Sequence, residues 1–172
     1  MPVRVLMPSP IGALGVELTG ASVSRLRIDP GEMERSIYTP LHRIDDSDFL
    51  DEVFGRLSEY FAGARRKLDL DFDLGPYGIN GLARRVLRET AKIPYGKTRS
   101  CQALADAIGS PGSGRQVLSV LLENPIPILI PCHRVVESPG AEPGAAIGSY
   151  IGGTDRKRWL LELERRSEEP AA

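Results

Sequence analysis

The segment from residue 124 to residue 136 constrains the fold more than any other part of the chain. It has the sequence NPIPILIPCHRVV, in which three prolines stand among apolar residues. Each proline fixes φ and removes one backbone hydrogen-bond donor, so the segment cannot form the interior of a helix or a central strand. We therefore predict a rigid, buried and extended connector.

This connector ends in Cys132 and His133, the only cysteine and histidine that are close together in the sequence. A thiol attacks as its thiolate, and a neighbouring imidazole can accept the thiol proton. Adjacent side chains rarely point in the same direction, so coupling between the two groups requires a turn or a water molecule. A lone cysteine is usually an inert buried side chain, and the pair by itself leaves both interpretations open.

The composition is typical of a globular protein with a substantial core. The chain has 172 residues, of which 41% are hydrophobic, enough for one ordinary domain or two small ones. It has no apolar run long enough to cross a membrane and no basic-then-apolar leader, so we expect no membrane contact and a cytoplasmic location. The two cysteines and two histidines fit no disulfide framework and no zinc spacing, so we expect a reducing compartment and no metal.

Charge is distributed unevenly between the two halves of the chain. Residues 1–75 contain 9 Lys and Arg against 13 Asp and Glu, a net charge of −4. Residues 76–172 contain 13 against 10, a net charge of +3. The second half is therefore the better candidate for contact with phosphate groups, although the excess is modest.

Apolar spacing predicts strands and one helix in the first half. Short apolar runs separated by turn residues predict two or three antiparallel strands over 2–28 and one more strand at 36–39. Apolar residues at helical spacing predict a helix over 48–63, with Ser47 as its cap. Residues 64–80 alternate apolar side chains with aspartates, which favours a linker that begins as an extended edge segment.

The second half has helical spacing. One helix is predicted over 80–92, a second from a cap at Thr98 or Ser100 to Gly109, and a third through 117–122. Two short helices joined by a tight turn are typical of a helix-turn-helix, although many helical hairpins bind nothing.

A last helix is predicted near the end of the chain. It has Thr154 or Asp155 as its cap and ends near 164–166, followed by a frayed tail.

The residues around the connector resemble a known active-site signature. The sequence PCHRVV at 131–136, preceded by Asn-Pro at 124–125 and followed by GSYIGG at 148–153, resembles the O6-alkylguanine-DNA alkyltransferases, also called methylated-DNA–protein-cysteine methyltransferases. The resemblance extends more weakly over nearly the whole chain. It implies an α/β (α+β) fold. Residues 1–75 would form a scaffold domain with a small antiparallel sheet and a helix (ribonuclease H-like), and residues 76–172 a winged helix-turn-helix-like domain that carries the active site.

The resemblance also implies an activity. The family repairs double-stranded DNA directly by irreversible transfer of the alkyl group of O6-alkylguanine to a cysteine, here Cys132, after the damaged base has been flipped out of the duplex. O4-alkylthymine is a further candidate substrate. Each molecule would react once, without a cofactor, and we expect a monomer, with cooperative binding on DNA left open.

Site residues are assigned by matching positions to this family. The catalytic candidates are Cys132 as nucleophile, His133 as general base, Glu164 as the carboxylate that orients the histidine, and Asn124 as the brace of the turn before the active site. The substrate- and DNA-binding candidates are Arg115, Tyr150, Ser149, Arg134, Ser100 and Gln116. Arg115 matches the arginine that fills the gap left by an extruded base, and Tyr150 matches a residue that lines the guanine pocket.

Three positions depart from the family pattern. Cys101 stands where the family usually has a tyrosine that contacts or protonates the guanine. The chain only partly matches the sequence pattern that the family has near 75–83. The loop 137–149 is longer than is usual in the family. We infer that alkyl transfer is retained because the nucleophile is present, whereas rate and lesion preference are open.

Three other functions are weighed against this one. An alkyltransferase-like protein that binds the lesion without transfer typically lacks the cysteine, although the missing tyrosine favours it. A papain-type thiol hydrolase would need a histidine far from its cysteine, and His42 is the only one available. A transcription regulator would explain the two helices but not the segment 124–136.

Overall fold

A computed structural model describes residues 2–41, 48–79, 81–137, 139 and 146–168. Its four strands are β1 (Val3–Met7), β2 (Leu14–Thr19), β3 (Ser22–Ile28) and β4 (Thr39–Pro40). They form one sheet in the order β3-β2-β1-β4. The first three strands are antiparallel, as predicted. The strand predicted at 36–39 is found only from Thr39 onward, since residues 36–38 form a turn. β4 is parallel to β1, because the chain crosses through the short helix α1 (Glu32–Arg35) to the opposite edge of the sheet.

One long helix provides much of the packing in the first half. Helix α2 (Asp48–Phe61) buries an apolar stripe as predicted, whereas the proposed cap Ser47 lies outside the described residues. The buried side chains of this stripe are Leu50, Val53, Phe54, Leu57, Tyr60 and Phe61. The predicted edge segment is confirmed at Phe72, where the backbone of Val23 in β3 donates to Asp71 and accepts from Asp73.

Three helices follow in the second half. They are α3 (Gly81–Thr90), α4 (Cys101–Ala107) and α5 (Gly114–Leu122). Ser100 is the cap of α4, since its side-chain oxygen accepts a hydrogen bond of 3.1 Å from the Ala103 amide. Val117 and Leu121 are buried along the inner face of α5. Helices α4 and α5 pack against each other across the short turn between them, as predicted for a helix-turn-helix.

The connector at 124–136 is buried as predicted but is not extended throughout. It folds into tight turns, with Ile128 at a φ of 76° and a 3-10 turn at Cys132–Arg134. The Asn124 amide makes these turns possible: its oxygen accepts from the Ile126 amide at 3.0 Å and its nitrogen donates to the Ile130 carbonyl at 2.9 Å. The Asn124 side chain thus provides hydrogen-bond partners for the Ile126 amide and the Ile130 carbonyl, in a segment where the prolines prevent helix or strand pairing.

The last helix, α6 (Thr154–Glu168), begins at Thr154 itself and runs beyond the predicted end at 164–166. Residues 169–172, where a frayed tail was predicted, lie outside the described part of the chain. No helix among the described residues is both long and apolar enough to span a bilayer.

A single cluster of buried apolar side chains includes residues from both halves of the chain. Among its members are Val16, Leu57, Leu104 and Ile130. The boundary near residue 75 therefore stays a prediction.

Candidate active site

Cys132 lies at the start of the 3-10 turn, where the connector meets a cavity of about 690 Å³. The residue is 4% exposed, and its Sγ accepts a hydrogen bond of 3.1 Å from the Asn124 amide. The cavity brings together Cys132 and five of the predicted substrate- or DNA-binding residues. These are Ser100, Arg115, Gln116, Ser149 and Tyr150.

The environment of the thiol favours its protonated form. Burial raises the pKa of Cys132 to about 11, although the hydrogen bond from Asn124 and the ammonium of Lys157 act in the opposite direction. The thiol is therefore neutral at physiological pH, and a nearby base is needed to generate the thiolate.

His133 is fully buried and is held by a carboxylate. Its Nε2 lies 2.8 Å from Glu164 Oε1, which also accepts a hydrogen bond of 2.7 Å from the Tyr60 hydroxyl. The Arg134 guanidinium and the Gly96 amide donate to the same carboxylate. Burial raises the pKa of Glu164, but the His133 ring and the Arg134 guanidinium outweigh burial and hold it well below its ordinary value. Glu164 is therefore ionised.

The ionised carboxylate determines which nitrogen of His133 carries the proton. Burial lowers the pKa of His133, although Glu164 opposes this shift, so the ring is neutral at physiological pH. Since Glu164 can only accept, Nε2 is the protonated nitrogen and Nδ1 carries the lone pair. Nδ1 is buried and has no hydrogen-bond partner in the described part of the chain. It is therefore the atom available to take a proton.

Arg134 does not lie where the sequence predicted. We expected it to bind substrate or DNA, but it is buried and donates to Glu164 and, at 2.6 Å, to the Ile93 carbonyl. It is not among the residues that line the cavity. The 3-10 turn explains the difference, because consecutive side chains in such a turn point in different directions. The Arg134 guanidinium thus helps to hold the Glu164 carboxylate that binds His133.

Lys157 in α6 is a cavity residue that sequence reasoning missed. Its Nζ donates to the Val135 carbonyl at 2.6 Å and to the Ser149 carbonyl at 3.0 Å. Burial lowers the pKa of Lys157 to about 8, although the nearby thiols act in the opposite direction. The sequence could have indicated that Lys157 is buried, because it lies on the same helical face as Leu160 and Glu164. This face is the buried one.

The N-terminus of α5 borders the cavity. Arg115 and Gln116 are exposed there. Within the described ranges only the Arg115 carbonyl is engaged, by the Ser119 hydroxyl, and the guanidinium makes no hydrogen bond or ion pair. An unengaged cation beside the opening is available to a phosphate group or a base.

His42, on which the thiol-hydrolase alternative depends, lies outside the described residues. Most of the loop 137–149 also lies outside them, namely residue 138 and residues 140–145.

Comparison with known proteins decides the family. The model of the 6-O-methylguanine DNA methyltransferase DNA-binding domain matches residues 81–166. A methylated-DNA–protein-cysteine methyltransferase of Mycobacterium tuberculosis is 38% identical over 165 residues, which cover 95% of this chain and 92% of that protein. The chain belongs to the methylated-DNA–protein-cysteine methyltransferase family.

Further relatives and solved structures agree with this assignment. A family member from Methanosarcina barkeri is 34% identical over 94% of this chain and 96% of its own length. A crystal structure of the Mycobacterium tuberculosis O6-methylguanine methyltransferase has a TM-score of 0.78 at 35% identity, covering 100% of this chain and 97% of that one. The OGT of the same organism in complex with DNA has a TM-score of 0.76, covering 95% and 93%. The predicted family and mixed α/β fold are confirmed.

Proposed function

We propose that the protein repairs DNA by transferring an alkyl group from the O6 atom of guanine to the Sγ atom of Cys132, once per molecule. One observation carries the proposal: Cys132 lines a cavity bordered by the start of α5, while the next residue, His133, is fixed by a buried carboxylate. This arrangement supports the proposal, because a candidate nucleophile and a candidate base lie beside an opening and next to the helix that we place on DNA.

The proposed chemistry begins with proton transfer from the Cys132 thiol to His133 Nδ1, through water as the family resemblance implies. The thiolate then attacks the alkyl carbon, the carbon–oxygen bond breaks, and its electrons leave with the guanine. The Asn124 amide, which donates to Sγ, stabilises the developing negative charge. A thioether is stable, so the protein is consumed by the reaction.

The proposed substrate is O6-alkylguanine in double-stranded DNA. We place α5 in the minor groove, with Arg115 in the gap left by the flipped nucleotide. Flipping costs a few kcal/mol, and a long cation that occupies the gap offsets part of this cost. Residues 1–75 would serve as a scaffold for the reactive half, and the protein would act as a monomer.

The test is intact mass spectrometry after incubation with a duplex that contains O6-methylguanine. We expect one methyl group per protein, located on Cys132 by peptide mapping, and no gain for Cys132→Ser or with an unmodified duplex. Tight binding without a mass gain would instead identify a lesion-binding protein. Multiple turnover of an ester or peptide would identify a thiol hydrolase.

A further inference from the structure

The Tyr150 hydroxyl is a buried polar group to which the mechanism above gives no task. The Tyr150 side chain is 7% exposed and lines the same cavity as Cys132. Its ring lies edge-on to the His133 ring, with 6.3 Å between the centroids. The phenolic oxygen is buried and has no hydrogen-bond partner among the residues that the structure describes. Since buried hydroxyls are almost always paired, an unpaired one at a cavity indicates a partner supplied by a ligand.

The proposed reaction produces a group that needs such a donor. When the alkyl carbon–oxygen bond breaks, the purine departs as an anion unless a proton reaches it. A positioned acid that supplies this proton contributes about 10²- to 10⁴-fold in rate.

The other donors on the cavity wall are poorer candidates. The Lys157 ammonium already donates to two backbone carbonyls, and the Cys101 thiol is a weak donor. The Ser100 hydroxyl accepts a hydrogen bond as the cap of α4 and is only half-buried, and Ser149 and Arg115 are exposed. Tyr150 has the one uncommitted buried hydroxyl among the described residues that line this cavity.

We propose that the Tyr150 hydroxyl is the acid that protonates the departing guanine, a role that rests on the proposed alkyl transfer. The Cys132 sulfur bonds to the alkyl carbon, and the thiol proton goes to His133. Tyr150 gives its proton to the purine, and the phenolate recovers a proton from the His133 imidazolium. The products are a thioether and neutral guanine, and both side chains return to their starting forms.

The electrostatics of the site keep the proton on Tyr150 until the purine departs. Burial raises the pKa of Tyr150 well above its ordinary value, and the nearby Cys132 and Glu164 act in the same direction. The phenol is therefore protonated at neutral pH. Its phenolate is a stronger base than an imidazole whose own pKa is lowered by burial, so return of the proton from His133 is favourable.

Dependence on the leaving group distinguishes an acid from a packing residue. Single-turnover transfer is measured for the wild-type protein and Tyr150→Phe, with duplexes that carry O6-methylguanine or O6-methyl-8-azaguanine. Because 8-azaguanine is the stronger acid, its anion needs less protonation to depart. We expect Tyr150→Phe to slow transfer from O6-methylguanine by at least about tenfold and transfer from the 8-aza analogue much less. No slowing, or equal slowing of both, would overturn the inference.

Two further variants keep the test decisive. Tyr38→Phe is the matched control, because Tyr38 is equally buried but its hydroxyl contacts Glu17 in the sheet; it should change neither rate. If Tyr150→Phe does not fold, a fluorotyrosine at position 150 replaces it, because fluorotyrosine is a stronger acid of nearly the same size. It should shift the pH profile of transfer to lower pH. An unshifted profile would overturn the inference. Absence of any adduct on the wild-type protein would refute the proposed function as well, whereas unaffected transfer by Tyr150→Phe would refute this inference alone.

Discussion

At the scale of single residues, Glu164 connects the buried polar groups behind the nucleophile. Its two oxygens interact with the side chains of Tyr60, His133 and Arg134 and with the Gly96 amide. The carboxylate therefore fixes both the orientation of the His133 ring and the nitrogen that carries its proton. The basicity of Nδ1 depends on this one side chain.

We predict that Glu164→Gln both destabilises the protein and slows alkyl transfer. The amide cannot neutralise Arg134, which is left as an unpaired buried cation, so the free energy of unfolding should fall by about 3–5 kcal/mol. Urea denaturation measures this loss, and single-turnover kinetics measure the rate. The control is Glu162→Gln in the same helix, whose carboxylate pairs with Arg165 and Arg166 nearer the surface, and which should cost about 1 kcal/mol or less. Equal losses for the two variants would contradict the prediction.

At the scale of elements, helix α5 connects the cavity to the surface on which we propose that the duplex binds. Its inner face is anchored by Val117 and Leu121, while Arg115 and Gln116 at its first turn stay exposed beside the opening. The apolar side chains hold the helix in place, so the polar residues at its start are presented in a fixed position.

We predict that Arg115→Ala slows transfer from duplex DNA by about ten- to a hundredfold, because the cost of flipping, a few kcal/mol, is no longer offset. Transfer from free O6-benzylguanine, which needs no flipping, should keep its rate. Arg158→Ala, which removes an exposed cation from α6 that pairs with Asp155, is the control. Equal slowing with the duplex and the free base would show that Arg115 acts on the cavity and not on the DNA.

Sequence periodicity predicted elements better than it predicted turns. The helix α2 and the first three strands follow from apolar spacing alone, because each buries one face on the same core. The path of 124–136 does not, since the left-handed backbone at Ile128 and the bonds from Asn124 depend on contacts that form only in the folded protein. Cys132 and His133 were identified from the family signature, whereas the places of Arg134 and Lys157 depend on the 3-10 turn and on the docking of α6.

At the scale of the whole molecule, acid should weaken the fold through the buried network. The pKa values of His133 and Glu164 are both lowered in the folded protein, although burial opposes the shift of Glu164. In the unfolded chain these groups titrate near roughly 6.5 and 4.3. Below those values the unfolded chain binds more protons than the folded protein, so stability is lost as the pH falls.

The corresponding measurement is urea denaturation over a series of pH values. We predict that the free energy of unfolding decreases steadily from about pH 7 to about pH 4, and that Glu164→Gln, which removes one of the two groups, has a shallower decrease. A free energy of unfolding that stays constant over this range would contradict the prediction.

The ammonium of Lys157 has a consequence for how this protein can vary. It donates to the carbonyls of Val135, which lies just before the loop 137–149, and of Ser149, the last residue of this loop. Both ends of the loop are thus hydrogen-bonded to the same helix, α6. Residues can therefore be added or removed between them without moving Val135 and Ser149, which line the cavity. The greater loop length that the sequence predicts is thus compatible with an unaltered reaction centre, and natural or engineered insertions are best accommodated between those two carbonyls.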